Sequence, residues 1–240
     1  TMRSPDAGLF DNHSRLLVTA LDVTNAHSIS EAVTQAITRF GRIDTLVNNA
    51  GVGLFGAAEA TPAQVTQQVF ETNTFGVMAT ARAVIPHMRE RGSGTIVNVT
   101  SSVGIAPMPL VAVFTASKYA IEGYSESLAH ELATFGVRVK IVQPGLAPTT
   151  SFAAKSGGRR DDLLPAAYAS FAARYLASMQ KYPTAYTTET DVAEAAYAAA
   201  TSSDDKLRYP AGADSAMLAQ LRQSLTEQEF MARMRTMIGW

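Results

Sequence analysis

The chain contains no cysteine among its 240 residues, which excludes a disulfide framework and thiolate chemistry. Charged residues make up only 17% and the formal net charge is −1, so we expect no attraction to nucleic acid or to an anionic membrane surface. No apolar run approaches the roughly 20 residues of a membrane-spanning helix, and the N-terminal stretch has no signal-peptide core. The histidines show no metal-ligand spacing. We therefore expect a cytoplasmic protein that binds neither nucleic acid nor membrane nor metal.

Hydrophobic residues make up 47% of the chain, which is enough to bury a substantial core. Short apolar runs rich in β-branched residues predict strands over residues 15–23, 43–51, 94–102, 137–145 and 207–214. Helical spacing predicts helices over residues 28–41, 61–91 in two parts, 113–135, 168–180, 191–202 and 226–237. This alternation predicts an α/β fold with a doubly wound parallel sheet, helices on both faces and one domain spanning residues 1–240.

Polar residues stand where the predicted helices begin and where the predicted strands end. The expected helix N-caps are Ser28 with Glu31, Thr61, Thr190, and Thr226 with Glu229. Ligands of parallel sheets bind beside the carboxyl ends of the strands. Asp22 and the segments "NNAG", "TSS" and "PG" all fall at such ends, so we expect the functional site there.

Five short segments occur in one order along these strand ends: "LDV" at 21–23, "NNAG" at 48–51, "NVTSS" at 98–102, "FTASK" at 114–118 and "PGLAPT" at 144–149. Together they resemble the short-chain dehydrogenase/reductase family, and the resemblance extends from residue 1 to about residue 212. It implies a Rossmann-like α/β/α fold and an oxidoreductase that interconverts a ketone or aldehyde and an alcohol with a nicotinamide cofactor.

The family uses an Asn–Ser–Tyr–Lys tetrad, and the resemblance places three of its members at Asn73, Ser101 and Lys118, with Ser102 as a less favoured alternative for the serine. The tyrosine position holds Phe114, which is a departure from the pattern. In the family the tyrosine hydroxyl supplies the proton for the developing alkoxide, and the lysine one turn later lowers its pKa. Losing a positioned general acid costs about 10²–10⁴ in rate, so we expect severely impaired carbonyl reduction.

The resemblance also implies a set of cofactor contacts. They are Asp22 and Val23 at the adenine, Asn49, Ala50 and Gly51 at the adenine ribose, Lys118 at the nicotinamide ribose, and Pro144, Gly145 and Thr149 at the nicotinamide. Arg3, assisted by Ser4, follows the expected end of a strand where a basic residue favours a 2′-phosphate. We therefore expect NADP(H) rather than NAD(H).

A second departure is the lack of the family's glycine-rich pyrophosphate turn. The glycines of "AGVGLFG" at 50–56 follow a later strand and make the wrong turn. We therefore expect the family's first βα unit, of about 35 residues, to be absent from this chain and to precede Thr1 in a longer one.

Residues 150–186 are expected to form a substrate lid. Their apolar side chains indicate an apolar carbonyl or alcohol substrate; they are Phe152, Leu163, Leu164, Tyr168, Phe171 and Tyr175. Small residues Ala116, Ala120 and Gly123 give the helix that carries Lys118 a face for close packing, and the family commonly forms homodimers or homotetramers.

Three hypotheses for function remain open, and we favour the first. The first is that the chain is the scaffold of a carbonyl reductase in which the tyrosine was changed to Phe114, as an experimenter would do to trap a substrate. Alternatively, it is a natural relative with a binding role or a non-redox reaction. The third hypothesis is a reductase of an imine or an activated alkene, which needs no strong proton donor.

Overall fold

The computed structural model describes residues 1–5, 15–150, 152, 163–181 and 184–239. Within these residues, four parallel strands form one sheet in the order β1–β2–β3–β4. The strands are β1 (Thr45–Asn48), β2 (Gly94–Val99), β3 (Val137–Pro144) and β4 (Arg208–Ala211). The helices are α1 (Ala26–Phe40), α2 (Ala63–Phe70), α3 (Gly76–Glu90), α4 (Ala112–Ala133), α5 (Ala169–Met179), α6 (Glu189–Thr201), α7 (Ala213–Ser224) and α8 (Glu227–Met237).

Alternate residues of the central strands face opposite helical layers, as the two-residue period of a strand requires. Ile96 and Val139 lie opposite each other and pack against helices α3 and α4. Val97 and Val142 point the other way and pack against Ala199 of α6. Helices therefore cover both faces, and the predicted three-layer, doubly wound parallel sheet is confirmed.

The parallel register brings the ends of the strands to one edge. Asn48 of β1 lies opposite Asn98 of β2, and Val99 lies opposite Val142 of β3. The segments after β1, β2 and β3 therefore emerge side by side, where the sequence predicts the functional site. No helix in the described parts of the chain is long and apolar enough to cross a membrane.

The predicted strand at residues 15–23 is wrong. Its described part makes a single parallel bridge, between Met2 and Ala20, and is otherwise irregular. An apolar, β-branched run becomes a strand only if a neighbouring strand takes up its backbone hydrogen bonds. Met2 provides such a partner at one residue, which is too little to order the whole run.

Three predicted helix caps also differ from the structure. Asn25, rather than Ser28, caps α1 by accepting a hydrogen bond from the Ser28 amide, and the Ser28 hydroxyl accepts one from the Asp22 amide instead. The Thr61 hydroxyl bonds back to the carbonyl of Ala57 and leaves α2 without a side-chain cap. The cap of α6 is Thr188, which forms a capping box with Asp191, and not Thr190.

The remaining helix predictions hold, with one omission. Thr226 and Glu229 form the predicted capping box of α8, and Gly41 ends α1 in a left-handed conformation. Residues 61–91 form two helices joined by a π-helical turn, Glu71–Phe75. Helix α7 lies immediately after β4 and was not predicted at all.

Candidate active site

Phe114 lies in the first turn of α4, at the position where the resemblance expects a tyrosine. Its side chain is 7% exposed. The ring belongs to an apolar cluster of Leu54, Val69, Val103 and Leu163. The ring of Phe152 stands 5.9 Å away, centroid to centroid. Position 114 is therefore enclosed by hydrocarbon and offers no hydroxyl to a reacting oxygen.

Lys118 follows one turn later on the same face of α4 and is buried. Its Nζ donates a 3.1 Å hydrogen bond to the carbonyl of Val99 and lies 5.8 Å from the centroid of the Phe114 ring. Burial lowers the pKa of Lys118 from 10.5 to about 8, against the opposing effect of the Glu122 carboxylate. The lysine therefore keeps most of its charge at neutral pH, in a position where a phenol would be its natural partner.

Asn73 lies in the π-helical turn between α2 and α3 and is fully buried. Its Oδ1 accepts from the amide of Val52 at 2.8 Å, and its Nδ2 donates to the Val52 carbonyl at 2.9 Å and to the Ser117 hydroxyl at 3.1 Å. The Ser117 hydroxyl in turn donates to the carbonyl of Phe114 at 2.7 Å. Asn73 thus joins the loop after β1 to the first turn of α4.

Gly51 lies between Asn73 and Lys118. A Cβ added to Gly51 would stand 3.4 Å from Oδ1 of Asn73 and 3.6 Å from Nζ of Lys118. The structure therefore brings together three of the residues that the sequence selected, from three different segments of the chain.

Ser101 follows β2 in an extended conformation and is partly exposed. Its Oγ accepts a 3.3 Å hydrogen bond from the amide of Val103, a residue that packs in the same cluster as Phe114. Ser102 is buried within the short turn that follows. Of these two serines, Ser101 has the more accessible side chain. It lies two residues after Val99, whose carbonyl accepts the hydrogen bond from Lys118.

A chain of buried polar groups fixes the ends of β1 and β2. The Asn48 amide donates to Oδ1 of Asn98 at 2.9 Å, and the Asn98 amide donates to the hydroxyl of Ser125 on α4. The Thr80 hydroxyl of α3 donates to Oδ1 of Asn48 at 2.7 Å. Because buried amides must be paired, this chain sets the relative positions of both strand ends and both helices.

The loop after β3 is held by two side chains from the C-terminal part of the chain. The amide of Gly145 donates to the Thr187 hydroxyl at 3.1 Å, and the amide of Leu146 donates to the buried Asp214 carboxylate at 2.7 Å. A Cβ on Gly145 would stand 2.0 Å from Oδ1 of Asp214, so no other residue fits there without movement. Pro144 precedes this clamp, and Thr149 is exposed beside Glu189.

Arg3 and Asp22 meet at the other end of the candidate site, with 3.5 Å between Nε and Oδ2. The backbone amide and the hydroxyl of Thr24 are the main causes that hold the pKa of Asp22 below its usual value, and Arg3 adds to them. Val23 packs against Gly76, at the start of α3. Ser4, Asn49 and Ala50 are exposed, so they are accessible to a ligand.

Several residues that shape the site were missed by the sequence analysis. Ser117, Thr187 and Asp214 hold Asn73 or the loop after β3, and their partners lie tens of residues away. Glu122 was missed as well, although it lies one turn after Lys118 on the same helix face.

The segment predicted as a lid is described only in part, since residues 151, 153–162 and 182–183 lie outside the described structure. Leu163 packs against the Phe114 cluster, and its carbonyl accepts a 2.8 Å hydrogen bond from the Ala57 amide. Leu164, Tyr168, Phe171 and Tyr175 pack instead in a second cluster around Ala57 and Leu110. Of the six apolar residues named from the sequence, only Phe152 and Leu163 therefore border Phe114.

Comparisons with known proteins point to one family. Residues 7–159 match the family model described as short chain dehydrogenase. An uncharacterized oxidoreductase of Schizosaccharomyces pombe is 36% identical over 243 residues, which cover 99% of this chain and 100% of that protein. The structure of a tyrosine-to-phenylalanine variant of ElxO with NADPH bound has a TM-score of 0.69 at 26% identity, covering 85% of this chain and 81% of the other. A short-chain dehydrogenase/reductase of Burkholderia phymatum in complex with NAD has a TM-score of 0.70 at 25% identity, covering 90% and 76%. The chain belongs to the short-chain dehydrogenase family.

Proposed function

We propose that this chain is the scaffold of an NADP(H)-dependent enzyme that interconverts a ketone or aldehyde and an alcohol, with the proton-transfer step impaired by Phe114. The observation that carries the proposal is the buried pair of Phe114 and Lys118. A charged lysine is held 5.8 Å from a ring without a hydroxyl, and the neighbouring Asn73 and Ser101 positions are intact.

The residues along the strand ends fit a nicotinamide cofactor. Gly51 leaves room beside Asn73 and Lys118, and Gly145 lets the loop after β3 lie directly against Asp214. Lys118 has one described hydrogen bond, to Val99, and an ammonium carries three donors, so it has capacity for a ribose hydroxyl. When bound, the cofactor supplies or accepts the hydride.

The chain's own residues have separate tasks in this mechanism. Ser101 donates a hydrogen bond to the substrate oxygen and stabilises the charge that develops there. Lys118 adds positive charge, which is strengthened by its dry surroundings. Phe114 offers no proton, and the apolar cluster around it leaves little room for water to replace one. Binding is therefore retained while carbonyl reduction is slow.

Arg3 supports a preference for NADP(H). Its side chain is 66% exposed, and its pairing with Asp22 holds it beside the segment proposed to contact the adenine. A guanidinium in this place recognises a 2′-phosphate by charge and by paired hydrogen bonds. The relatives with bound cofactor include both an NADPH complex and an NAD complex, so the preference depends on this chain's own arginine.

The substrate we propose is apolar at its carbonyl end. Phe152 and Leu163 extend the hydrocarbon surface that Phe114, Leu54 and Val103 form next to Lys118. We place both residues in a lid over residues 150–186. An apolar substrate gains about 25 cal/mol per Å² of surface that it buries there.

One observation favours a second candidate, the reductase of an imine. Phe114 carries no hydroxyl, and an iminium substrate brings its own proton, so its reduction does not need the missing phenol. An activated alkene and a non-redox role are the remaining hypotheses, and the assay below separates them from the first.

We also propose that the chain forms a homodimer or homotetramer through α4. Ala116 and Gly123 are exposed on this helix, and no atom lies within 4 Å of the place of a Cβ on Gly123. Tyr119 between them is 40% exposed. Light scattering on the purified chain tests this directly, because a monomeric mass contradicts it.

Titration of the unaltered chain with NADPH, followed by assay with ketones, imines and activated alkenes, tests the proposed function. We expect saturable binding of NADPH. We also expect the rate at which ketones oxidise NADPH to be about 10²–10⁴ times lower than with an intact tetrad. No binding at millimolar NADPH contradicts the proposal and favours a non-redox role. Rapid turnover of an imine supports the second candidate, and rapid turnover of a ketone refutes impairment by Phe114.

A further inference from the structure

The buried carboxylate of Glu122 lies one turn after Lys118 on the inner face of α4, where it is 5% exposed. Its Oε1 accepts from the Thr100 hydroxyl at 2.6 Å and from the Gln143 side-chain amide at 3.0 Å. Its Oε2 accepts from Nε of Arg208 at 3.0 Å. Three strands therefore converge on this one side chain.

These partners stand directly before the proposed active-site residues. Thr100 precedes Ser101 at the end of β2, and Gln143 precedes Pro144 at the end of β3. Arg208 begins β4 and also donates to Glu126 of α4 at 2.8 Å. Gly104, in the turn after β2, passes so close that a Cβ there would lie 3.0 Å from Oε1. Movement of Glu122 would therefore disturb the starts of the loops after β2 and β3.

We propose that Glu122 is a positioning residue that ties the helix bearing Lys118 to the ends of β2 and β3 and is coupled to Lys118 through its carboxylate. Only the effect of Glu122 on catalysis rests on the proposed function. The coupling between Glu122 and Lys118 is a property of the folded chain itself.

The charge balance around Lys118 makes Glu122 the decisive neighbour. The described groups that lie next to Lys118 are neutral. They are the Val99 carbonyl and Gly51 from other segments, and Phe114 on the same helix. The groups against Glu122 from other strands are the neutral Thr100 and Gln143 and the cationic Arg208. Glu122 opposes the effect of burial on the pKa of Lys118. Arg208 offsets part of the negative charge, and Glu126 shares that arginine from an exposed position.

The coupling is measured by labelling the five lysines with carbon-13 at Cε and following each signal with pH by NMR. Lys118→Met assigns the signal. We expect Glu122→Gln, which keeps the side-chain shape, to lower the midpoint of the Lys118 titration by about 1 pH unit. The matched control is Glu126→Gln, which removes the same charge from the same arginine and is expected to leave the midpoint unchanged.

A variant of opposite sign separates coupling from general disruption. Arg208→Gln keeps a donor but removes the positive charge beside Glu122, so we expect the Lys118 midpoint to rise. An unchanged midpoint in Glu122→Gln, an equal shift in Glu126→Gln, or a fall in Arg208→Gln overturns the proposal. If Glu122→Gln does not fold, the rise or fall in Arg208→Gln still decides.

The consequence in catalysis is measured separately in the Phe114→Tyr background. There we expect Glu122→Gln to move the alkaline limb of the pH profile for ketone reduction together with the Lys118 midpoint. A midpoint that moves while NADPH fails to bind refutes the proposed function and leaves the coupling intact. A bound cofactor with an immobile midpoint and an unmoved pH profile refutes the role of Glu122 alone.

Discussion

The ammonium nitrogen of Lys118 lies 5.8 Å from the centre of the Phe114 ring, and both side chains are buried. This geometry keeps a cation over an aromatic face, which is weakly favourable, but gives it no acidic hydroxyl to act on. Under the proposed function, the site therefore keeps the positive charge that assists proton transfer and lacks the hydroxyl that carries the proton.

Because Lys118 is buried, we expect the free energy of unfolding to depend on pH. Because its pKa falls from 10.5 to about 8, the unfolded chain holds a proton between these pH values that the folded chain releases. The free energy of unfolding attributable to Lys118 therefore rises as the pH increases from about 8 to 10.5. We expect Lys118→Met to stabilise the chain by about 3 kcal/mol at pH 7, with the gain declining above pH 8.

Urea unfolding at several pH values measures this effect. Lys181 is exposed, and Lys181→Met serves as the control that should change stability little at any pH. An equal effect of both substitutions, or a gain at Lys118 that grows with pH, contradicts the account.

Asn73 is predicted to be a structural tie of the site. Asn73→Ala removes the partner of the Val52 amide and carbonyl and the bond to the Ser117 hydroxyl, which costs about 2–4 kcal/mol. Denaturant unfolding gives the difference. Asn49→Ala, at an exposed position in the loop that Asn73 holds, is expected to change stability by less than about 0.5 kcal/mol.

The loop after β3 has no room for a side chain at position 145. Gly145→Ala places a methyl against the Asp214 carboxylate, so we expect the loop to move and the Kd for NADPH to rise by about tenfold or more. The additional change Asp214→Ala should restore part of the affinity by making space. The control is Gly123→Ala, whose methyl lies on the exposed side of α4 away from this loop, so we expect unchanged NADPH affinity.

Arg3 is predicted to select between the two cofactors. Arg3→Gln removes the charge that faces a 2′-phosphate, so the Kd for NADPH should rise about tenfold while that for NADH stays within about twofold. Arg15→Gln, at another exposed arginine of the N-terminal part, should alter neither. Equal weakening of both cofactors would show that Arg3 supports the fold and not the phosphate.

The elements that form within one stretch of sequence were predicted well. Helix α4 and strands β2 and β3 have a clear period, and the order of Asn73, Ser101 and Lys118 follows from local motifs. The strand predicted over residues 15–23 did not form because a strand depends on a partner elsewhere, and within the described parts of the chain this run pairs only with Met2. The ties of Glu122 and Asp214 could not be foreseen, since each joins segments that meet only after the sheet has formed.

The most direct measurement is the ratio of kcat/KM for ketone reduction between Phe114→Tyr and the unaltered chain, both saturated with NADPH. The account predicts an increase of about 10²–10⁴, because the new hydroxyl stands one turn from Lys118. Phe135→Tyr adds a phenol at an exposed position beyond the C-terminal end of α4, and should leave the rate unchanged. Equal rates for Phe114→Tyr and the unaltered chain, with NADPH bound to both, would contradict the claim that the missing hydroxyl impairs ketone reduction.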